Sequence, residues 1–216
     1  MIINETQLRE HYDIVIIGAG IAGLALSQLL KPVEKNILLV ESGDFKFNKE
    51  VNNHSYAKVK NLGNWPTENY ASHYSRIRMF GGNANVWGGW CMELDEYDYS
   101  QNTTWNILKA DLKIHYKKAY EVLNIIPQNI DSDELHMKSI KPYSINIARG
   151  NYIKNSRAYL EKSENIDVLI KTKLVKMNLD ENKISSIILE NLDGNTNEVK
   201  LKTLVISAGG IETTRI

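Results

Sequence analysis

The sequence predicts an α/β fold in which a parallel sheet continues into a small antiparallel β-meander. Near the start of the chain, an apolar run, a glycine-rich turn and a second apolar run follow one another, as in a βαβ unit. Between residues 168 and 206, apolar residues alternate with polar ones and are interrupted by turn residues, as in antiparallel strands. With 216 residues, the chain is long enough to bury the core of one or two domains.

A glycine motif joins the first two apolar runs. Residues 14–17 are apolar and β-branched throughout, as expected of a strand that is buried on both faces of a parallel sheet. Gly18 permits a tight turn, and Gly20 has no side chain to keep a phosphate away from the main chain. Gly23 lets the following helix pack closely on the strand. The motif predicts a Rossmann-like unit that binds an adenine dinucleotide through the N-terminus of that helix.

An acidic residue, Glu41, ends the second apolar run at residues 37–40. An acid at this position binds the adenosine ribose and repels a 2′-phosphate, which disfavours NADP but does not separate FAD from NAD. The alternative interpretation is a glycine loop in an unrelated α/β fold. A membrane span over residues 14–30 is excluded because charged residues precede it, glycines interrupt it, and it is shorter than the ~20 residues that a span needs.

The charge balance argues against two classes of partner. The chain has 26 basic and 26 acidic residues, so we expect no nucleic acid and no anionic membrane surface to be bound. A single cysteine, Cys91, excludes an internal disulfide framework, and the sequence shows no signal peptide. We therefore expect a cytoplasmic protein.

The remaining elements are predicted as follows. Residues 43–75 form a long polar excursion, and residues 128–150 are irregular after Pro127. A helix over residues 108–123 has an apolar stripe, made of Leu108, Leu112, Tyr116, Ala119 and Leu123. Strands of the meander end in turns at residues 180–182 and 193–195, and the last strand, residues 204–206, should be covered on both faces. It leads into Ser207-Ala208-Gly209-Gly210, which is either a second contact for the dinucleotide or a plain connection to a helix.

A second glycine cluster spans residues 76–91 and contains four glycines, two asparagines and two tryptophans. Such a composition suits a backbone that wraps closely around a flat ligand, because glycine permits close approach and asparagine supplies amide hydrogen bonds. The alternative is a Gly/Asn turn that is capped by aromatic core residues.

Five stretches of the chain carry a resemblance to one family: IIGAGIAG, LLVESG, RMFGGNANVWGGWCMELD, the stretch from Trp105 to Tyr116, and LVISAGGIETTRI. Together they resemble the glucose–methanol–choline family of FAD-dependent oxidoreductases. The resemblance covers nearly the whole chain. It implies a Rossmann-like FAD-binding domain over residues 1–216, truncated before the substrate domain is complete. Residues 43–164 would form a long insertion that carries the flavin-facing segment 76–91.

The resemblance also implies which residues contact the cofactor. Arg78 would neutralise phosphate charge, although a surface arginine is an equal alternative. The other implied contacts are Gly18, Ala19 and Gly20 at the pyrophosphate, Glu41 at the ribose, Leu174 or Val175 at the adenine edge, Gly81, Gly82, Asn83, Asn85 and Val86 beside the isoalloxazine, and Ala208 and Gly209 closing over the cofactor.

Two departures from the family bear on chemistry. Some relatives carry a histidine at the position of Val86 that bonds to the flavin, so the resemblance implies non-covalent FAD here. The family's catalytic histidine lies near the far C-terminus. The histidines of this chain match no catalytic position and are expected to be surface or packing residues: His11, His54, His73, His115 and His136. We assign neither a catalytic residue nor a metal site to the chain.

The expected function is that of an FAD-dependent oxidoreductase acting on CH–OH groups of an alcohol or a sugar-like donor, with hydride transfer to the flavin. Ile216 lies about one turn into a helix that has no C-cap, so we expect a split or truncated protein whose C-terminal half lies on a second polypeptide or was lost. This chain would then supply only the FAD site and be inactive alone. The alternatives are a non-catalytic truncated FAD-binding remnant and an NAD-binding enzyme of another family.

Overall fold

The structure, a computed structural model, describes residues 1–56, 75–101, 109–126, 145–148 and 150–216. Several sequence expectations fall outside the described residues. They are most of the polar excursion at 43–75 and of the irregular segment at 128–150, together with His73, Trp105, Leu108, Pro127 and His136.

Nine strands and six α-helices are present in the described part of the chain. The strands are β1 (Ile2–Ile3), β2 (His11–Ile17), β3 (Ile37–Val40), β4 (Trp90–Cys91), β5 (Asn146–Ile147), β6 (Ile166–Leu169), β7 (Thr172–Asp180), β8 (Lys183–Asn191) and β9 (Thr196–Ile206). The helices are α1 (Ile21–Leu30), α2 (Lys49–Asn53), α3 (Glu96–Gln101), α4 (Lys109–Leu123), α5 (Tyr152–Glu161) and α6 (Gly210–Arg215). Short 3₁₀-helices cover Glu5–Gln7 and Gly82–Asn85.

Seven strands form one sheet in the order β1-β6-β3-β2-β9-β8-β7. The first five strands in this order are mutually parallel, whereas β8 runs antiparallel to both β9 and β7. Ile17 at the end of β2 aligns with Val40 of β3 and with Ile206 of β9. The predicted α/β fold class, a parallel sheet with an antiparallel meander, is confirmed, and the carboxyl ends of three parallel strands lie at one edge.

The turns of the meander have the backbone that their sequences predict. Glu181 and Asn182 have φ angles of 44° and 67°, as in a type I′ turn between β7 and β8. Gly194 has a φ of 83° and donates its N–H to the carbonyl oxygen of Asn191 at 3.2 Å. Residues 204–206 of β9 are half-buried among the described residues, so the cover that their apolar run requires is incomplete there.

Apolar side chains are buried on both faces of the parallel sheet. One cluster contains Val15 and Ile17 of β2, Leu38 and Val40 of β3, and side chains of β8 and β9. The alternate residues of the same strands, such as Ile16, are equally buried and point to the opposite face because side chains alternate along a strand. The continuous apolar runs of β2 and β3 therefore reflect burial on both faces, as predicted.

The predicted helices after the first glycine motif and around residue 116 are both present. α1 begins at Ile21, directly after Gly20, and α4 spans Lys109–Leu123. Leu112 and Tyr116 of α4 are half-buried, but Ala119, which was expected on the apolar stripe, is exposed among the described residues.

The chain divides into two compact units. The first contains Met1–Val86 and Ile153–Ile216, and the second contains Trp87–Tyr152. The second glycine cluster is thus shared between them, with residues 76–86 in the first unit. Among the described residues, none of the helices has the length and apolar character that a membrane span requires.

We predict that Gly23→Ala destabilises the fold by about 3 kcal/mol, because a Cβ at this position would lie 2.0 Å from the carbonyl oxygen of Gly18, a main-chain atom that cannot move aside cheaply. Denaturant unfolding followed by circular dichroism measures the loss. Gly20→Ala is the matched control, since its Cβ would have no neighbour within 4 Å. Equal stability of the two variants would contradict the close packing of α1 on β2.

Candidate functional site

A cleft of about 1080 Å³ lies in the first unit, outside the carboxyl ends of β2, β3 and β9. Ligands bind at this edge in open α/β sheets, and the volume is at the upper end of the range for small-molecule sites. The predicted site residues that border it are Gly18, Gly20, Glu41, Arg78, Gly82, Asn83, Leu174, Val175, Ala208 and Gly209.

The first glycine turn is fixed by the end of β9. Gly18 has a φ of 100°, and a Cβ there would lie 2.6 Å from the carbonyl oxygen of Ser207. The Ser207 N–H donates to the carbonyl oxygen of Ile17 at 2.8 Å, and the Ser207 hydroxyl lies 2.9 Å from the carbonyl oxygens of both Ile17 and Gly18. Ser207 is a structural residue of the site that the sequence interpretation missed; its signal is its place at the end of the last apolar run.

Gly20 differs from Gly18 and Gly23 because the space beside its Cα is open. A Cβ added there would meet no atom within 4 Å, and the residue borders the cleft at the N-terminus of α1. The N-cap residue is Gly20 itself, which supplies no carboxylate or hydroxyl, so the partial positive charge of the helix N-terminus faces the cleft. The arrangement suits an anionic group close to the main chain.

The second glycine cluster meets the first directly. The Gly81 N–H donates to the carbonyl oxygen of Ala19 at 2.8 Å. A Cβ on Gly82 would lie 3.3 Å from the Cα of Gly20, so these two backbones approach closely at the cleft. Ala19 and Gly81 are buried behind the lining rather than exposed on it. The two glycine segments therefore form one continuous main-chain wall.

The asparagines of the second cluster shape their own loop. Asn83 accepts a hydrogen bond from the Ile77 N–H and donates to the carbonyl oxygen of Ser75, both at 2.9 Å. The Asn85 amide donates to the carbonyl oxygens of Phe80 at 3.0 Å and Gly82 at 2.8 Å. Asn83 still borders the cleft, whereas Asn85 and Val86 do not; they follow it in the same loop.

Glu41 is a buried carboxyl at the end of β3, with only 6% of its surface exposed. Its Oε2 accepts from the Ala19 N–H at 2.9 Å, and its Oε1 accepts from the Gly43 N–H at 2.7 Å. Burial raises the pKa of Glu41, although these two N–H donors and the charge of Arg78 act in the opposite direction. The predicted ribose-binding acid therefore also braces the first glycine turn.

Gly43 is a second site residue that the sequence interpretation missed. A Cβ there would lie 2.4 Å from the carbonyl oxygen of Arg78. The neighbouring Asp44 accepts a hydrogen bond from the Phe80 N–H at 3.0 Å. The glycine two positions after Glu41 thus allows the second glycine segment to lie against the end of β3.

Arg78 is not a surface arginine, since its side chain is 14% exposed and borders the cleft. Its guanidinium lies 3.3 Å from the Glu212 carboxylate of α6, and Arg76 lies 2.5 Å from the same carboxylate. Neither Arg76 nor Glu212 was among the predicted site residues. The signal that could have found them is the Arg-x-Arg spacing at the start of the second glycine cluster and the acid after Gly209-Gly210.

The strand β7 supplies main chain to the opposite part of the wall. It is the edge strand of the sheet, and its register with β8 shifts between Leu174 and Lys176, which leaves Val175 without a partner in that ladder. Val175 is 44% exposed and, like Leu174, borders the cleft. An edge strand presents N–H and C=O groups outward, so a planar heterocycle could pair here.

The end of β9 completes the cleft. Ala208 and Gly209 border it, and Gly209 has a φ of 81° that suits glycine. Of the histidines in the described part of the chain, His11 and His115 are exposed on strand and helix, while His54 is exposed at the rim of the cleft. Its place there was not anticipated.

Comparison with known proteins was informative only at the level of structure. No protein-family model and no curated protein sequence matches the chain. The fold is similar to that of pyridoxine 4-oxidase from Mesorbium loti, with a TM-score of 0.60 and 15% identity over 93% of this chain and 50% of the oxidase. It is also similar to a fungal aryl-alcohol oxidase, with a TM-score of 0.57 and 15% identity over 97% of this chain and 47% of that one.

Both structures are glucose–methanol–choline oxidoreductases. The fold resemblance predicted from the sequence motifs is therefore confirmed, and the chain spans about half the length of the structures that it matches. At 15% identity the comparison establishes the fold, and the site must be argued from its own residues.

We predict that Glu41 makes stability depend on pH. Its pKa is raised in the folded state above the ordinary value of 4.5, so its contribution is full below that value and is lost as the pH rises through the folded pKa. The difference in unfolding free energy between wild type and Glu41→Gln should therefore fall steadily from pH 4.5 upward. Urea unfolding at several pH values measures it, and a difference independent of pH would contradict the prediction.

Proposed function

We propose that the chain is a member of the glucose–methanol–choline family and forms the FAD site of an oxidoreductase that acts on CH–OH groups. The observation that carries the proposal is the contact between the Gly81 N–H and the Ala19 carbonyl, which joins two glycine segments at one cleft. A single glycine motif suits any dinucleotide. Two that meet suit a ligand with both a pyrophosphate and a large flat ring system.

The residues present fit the adenosine and pyrophosphate halves of FAD. Gly20 and the N-terminus of α1 would hold the pyrophosphate, because the main chain is open there and carries partial positive charge. Glu41 would accept hydrogen bonds from the ribose hydroxyls through lone pairs that the Ala19 and Gly43 N–H groups do not use. The main chain of Val175 would pair with the adenine edge.

The second glycine segment would lie beside the isoalloxazine. Gly82 and Asn83 border the cleft and would contact the ring system, while Gly81 and Asn85 hold the loop in shape through the hydrogen bonds described above. Ala208 and Gly209 would close over the cofactor from β9. Val86 has no nucleophile, so FAD would be held without a covalent bond at this position.

Bound FAD supplies an acceptor for the hydride that leaves the carbinol carbon of an alcohol. This chain would bind and orient the cofactor and form part of the wall that keeps water from it. The similar structures are named as oxidases of pyridoxine and of aryl alcohols, which supports an alcohol or a sugar-like donor as the substrate class. We assign no proton-transfer role to any described residue.

The direct test is to purify the chain, add FAD and record the visible spectrum and the flavin fluorescence after gel filtration. We expect bound flavin that acid precipitation releases completely into the supernatant. Flavin that stays with the precipitate would contradict non-covalent binding. A protein that binds NAD but not FAD would overturn the proposed cofactor.

We predict that Gly20→Ala weakens FAD binding at least tenfold without lowering the stability of the ligand-free fold. The added methyl has no protein neighbour within 4 Å and would occupy the space of the pyrophosphate. Titration followed by flavin fluorescence gives the affinity. The control is Gly194→Asn in the β8–β9 hairpin, which also has an open Cβ position and whose φ of 83° asparagine tolerates better than alanine; it should leave FAD affinity unchanged.

A further inference from the structure

Two segments that border the cleft are joined by one cluster of charged side chains, Arg76, Arg78 and Glu212, which we name the Glu212 clasp. Glu212 lies on α6, and the two arginines lie at the start of the second glycine cluster. The two ion pairs span 136 and 134 positions of the sequence. The clasp therefore belongs to the tertiary structure and not to any local motif.

We propose that Glu212 is a positioning residue, which holds Arg76 and Arg78 in the orientation that receives the phosphates of the dinucleotide. The inference rests on the proposed function and deepens it, since it assigns a role to a carboxylate in a site that binds an anion. The charge of Glu212 is unexpected in this role, because a negatively charged side chain is required for the binding of a negatively charged ligand.

The geometry ties each oxygen of the carboxylate to a different arginine. Oε1 of Glu212 lies 2.5 Å from Nη1 of Arg76, and Oε2 lies 3.3 Å from Nη2 of Arg78. The two arginine side chains are each 14% exposed and that of Glu212 is 22% exposed, so solvent screens these pairs less than it screens ordinary surface pairs. Arg215 adds a contact at 3.1 Å from the more exposed side.

The arginines are held from the other side by the chain that follows α2. Nη2 of Arg76 donates to the carbonyl oxygen of Ser55. Nε of Arg78 donates to the Ser55 hydroxyl at 3.2 Å, and its Nη2 lies 3.5 Å from the carbonyl oxygen of His54. Each guanidinium is thus fixed in its plane by partners on two elements, and a planar fork fixed in this way recognises phosphate with little loss of side-chain entropy.

The net charge of the cluster allows two possible roles of Glu212 to be distinguished, orienting the arginines and neutralising their charge. The clasp has two guanidinium groups and one carboxylate, and Arg215 adds a third guanidinium beside it, so the cluster remains net positive with Glu212 in place. If Glu212 were only a counter-charge, its removal would increase the positive potential and tighten the binding of an anion. If it positions the arginines, its removal lets them repel one another and turn away, and anion binding weakens.

The experiment compares wild type with Glu212→Gln in the full chain, with FAD, ADP and adenosine as separate probes in calorimetric titrations. We expect FAD and ADP to bind about tenfold more weakly to the variant, while the affinity for adenosine, which has no phosphate, changes less than about twofold. Glu161→Gln is the matched control, because Glu161 also pairs with an arginine at 2.8 Å but lies on α5 and does not border the cleft.

The possible outcomes separate the two proposals. If wild type binds none of the three probes, the proposed function fails. Two results would overturn the positioning role in a wild type that binds FAD. In one, Glu212→Gln binds FAD and ADP as tightly as wild type or more tightly. In the other, its affinities for FAD, ADP and adenosine all fall by the same factor. If Glu212→Gln does not fold, Glu212→Asp, which keeps the charge but shortens the reach, must show the same selective loss of FAD and ADP.

A double variant tests whether Glu212 acts through Arg76. Arg76→Gln combined with Glu212→Gln should lose less ADP affinity than the product of the two single losses, because the contact between Arg76 and Glu212 is already gone in Arg76→Gln and only the contact with Arg78 remains to be lost. Losses that multiply would show that Glu212 acts independently of Arg76 and would contradict the clasp.

Discussion

The site depends on a close approach of main chain at the end of β2 that admits no side chain. A Cβ on Gly18 would lie 2.6 Å from the Ser207 carbonyl oxygen, and a Cβ on Gly23 would lie 2.0 Å from the Gly18 carbonyl oxygen. These two contacts bring the end of β9 and the first turn of α1 to the same point. Because backbone atoms are involved on both sides, the arrangement cannot relax around a larger residue, and the position of the cleft is fixed with the fold.

A buried carboxyl extends this arrangement to β3 and the second glycine segment. Glu41 accepts N–H groups from both the first turn and Gly43, and Gly43 lies against the main chain of Arg78. The cost of burying the carboxyl is offset by these hydrogen bonds, and the result is a wall made mostly of main chain. A wall of this kind suits a cofactor recognised through phosphates and ring edges, and it leaves few side chains for chemistry of its own.

The similarity of fold and the geometry of the site support the proposed function in different ways. The structural comparison places the chain with two oxidases at 15% identity and covers about half of each. The geometry of the site supports the proposal independently of any relative, because the two glycine segments are in contact and the position at Gly20 is open. The Glu212 clasp then adds charged side chains to a wall whose glycine segments are main chain.

The sequence by itself determined the parts of the protein that local rules govern. Apolar runs of period two, glycines at positive φ and the turn residues at 181–182 and 194 defined the sheet and its turns, because each depends on neighbours along the chain. Only the tertiary structure decided that Arg78 faces the cleft, that Asn85 serves its own loop and that Glu212 joins Arg76. These depend on which segments pack together, and the pairing of side chains 136 positions apart leaves no periodic trace in the sequence.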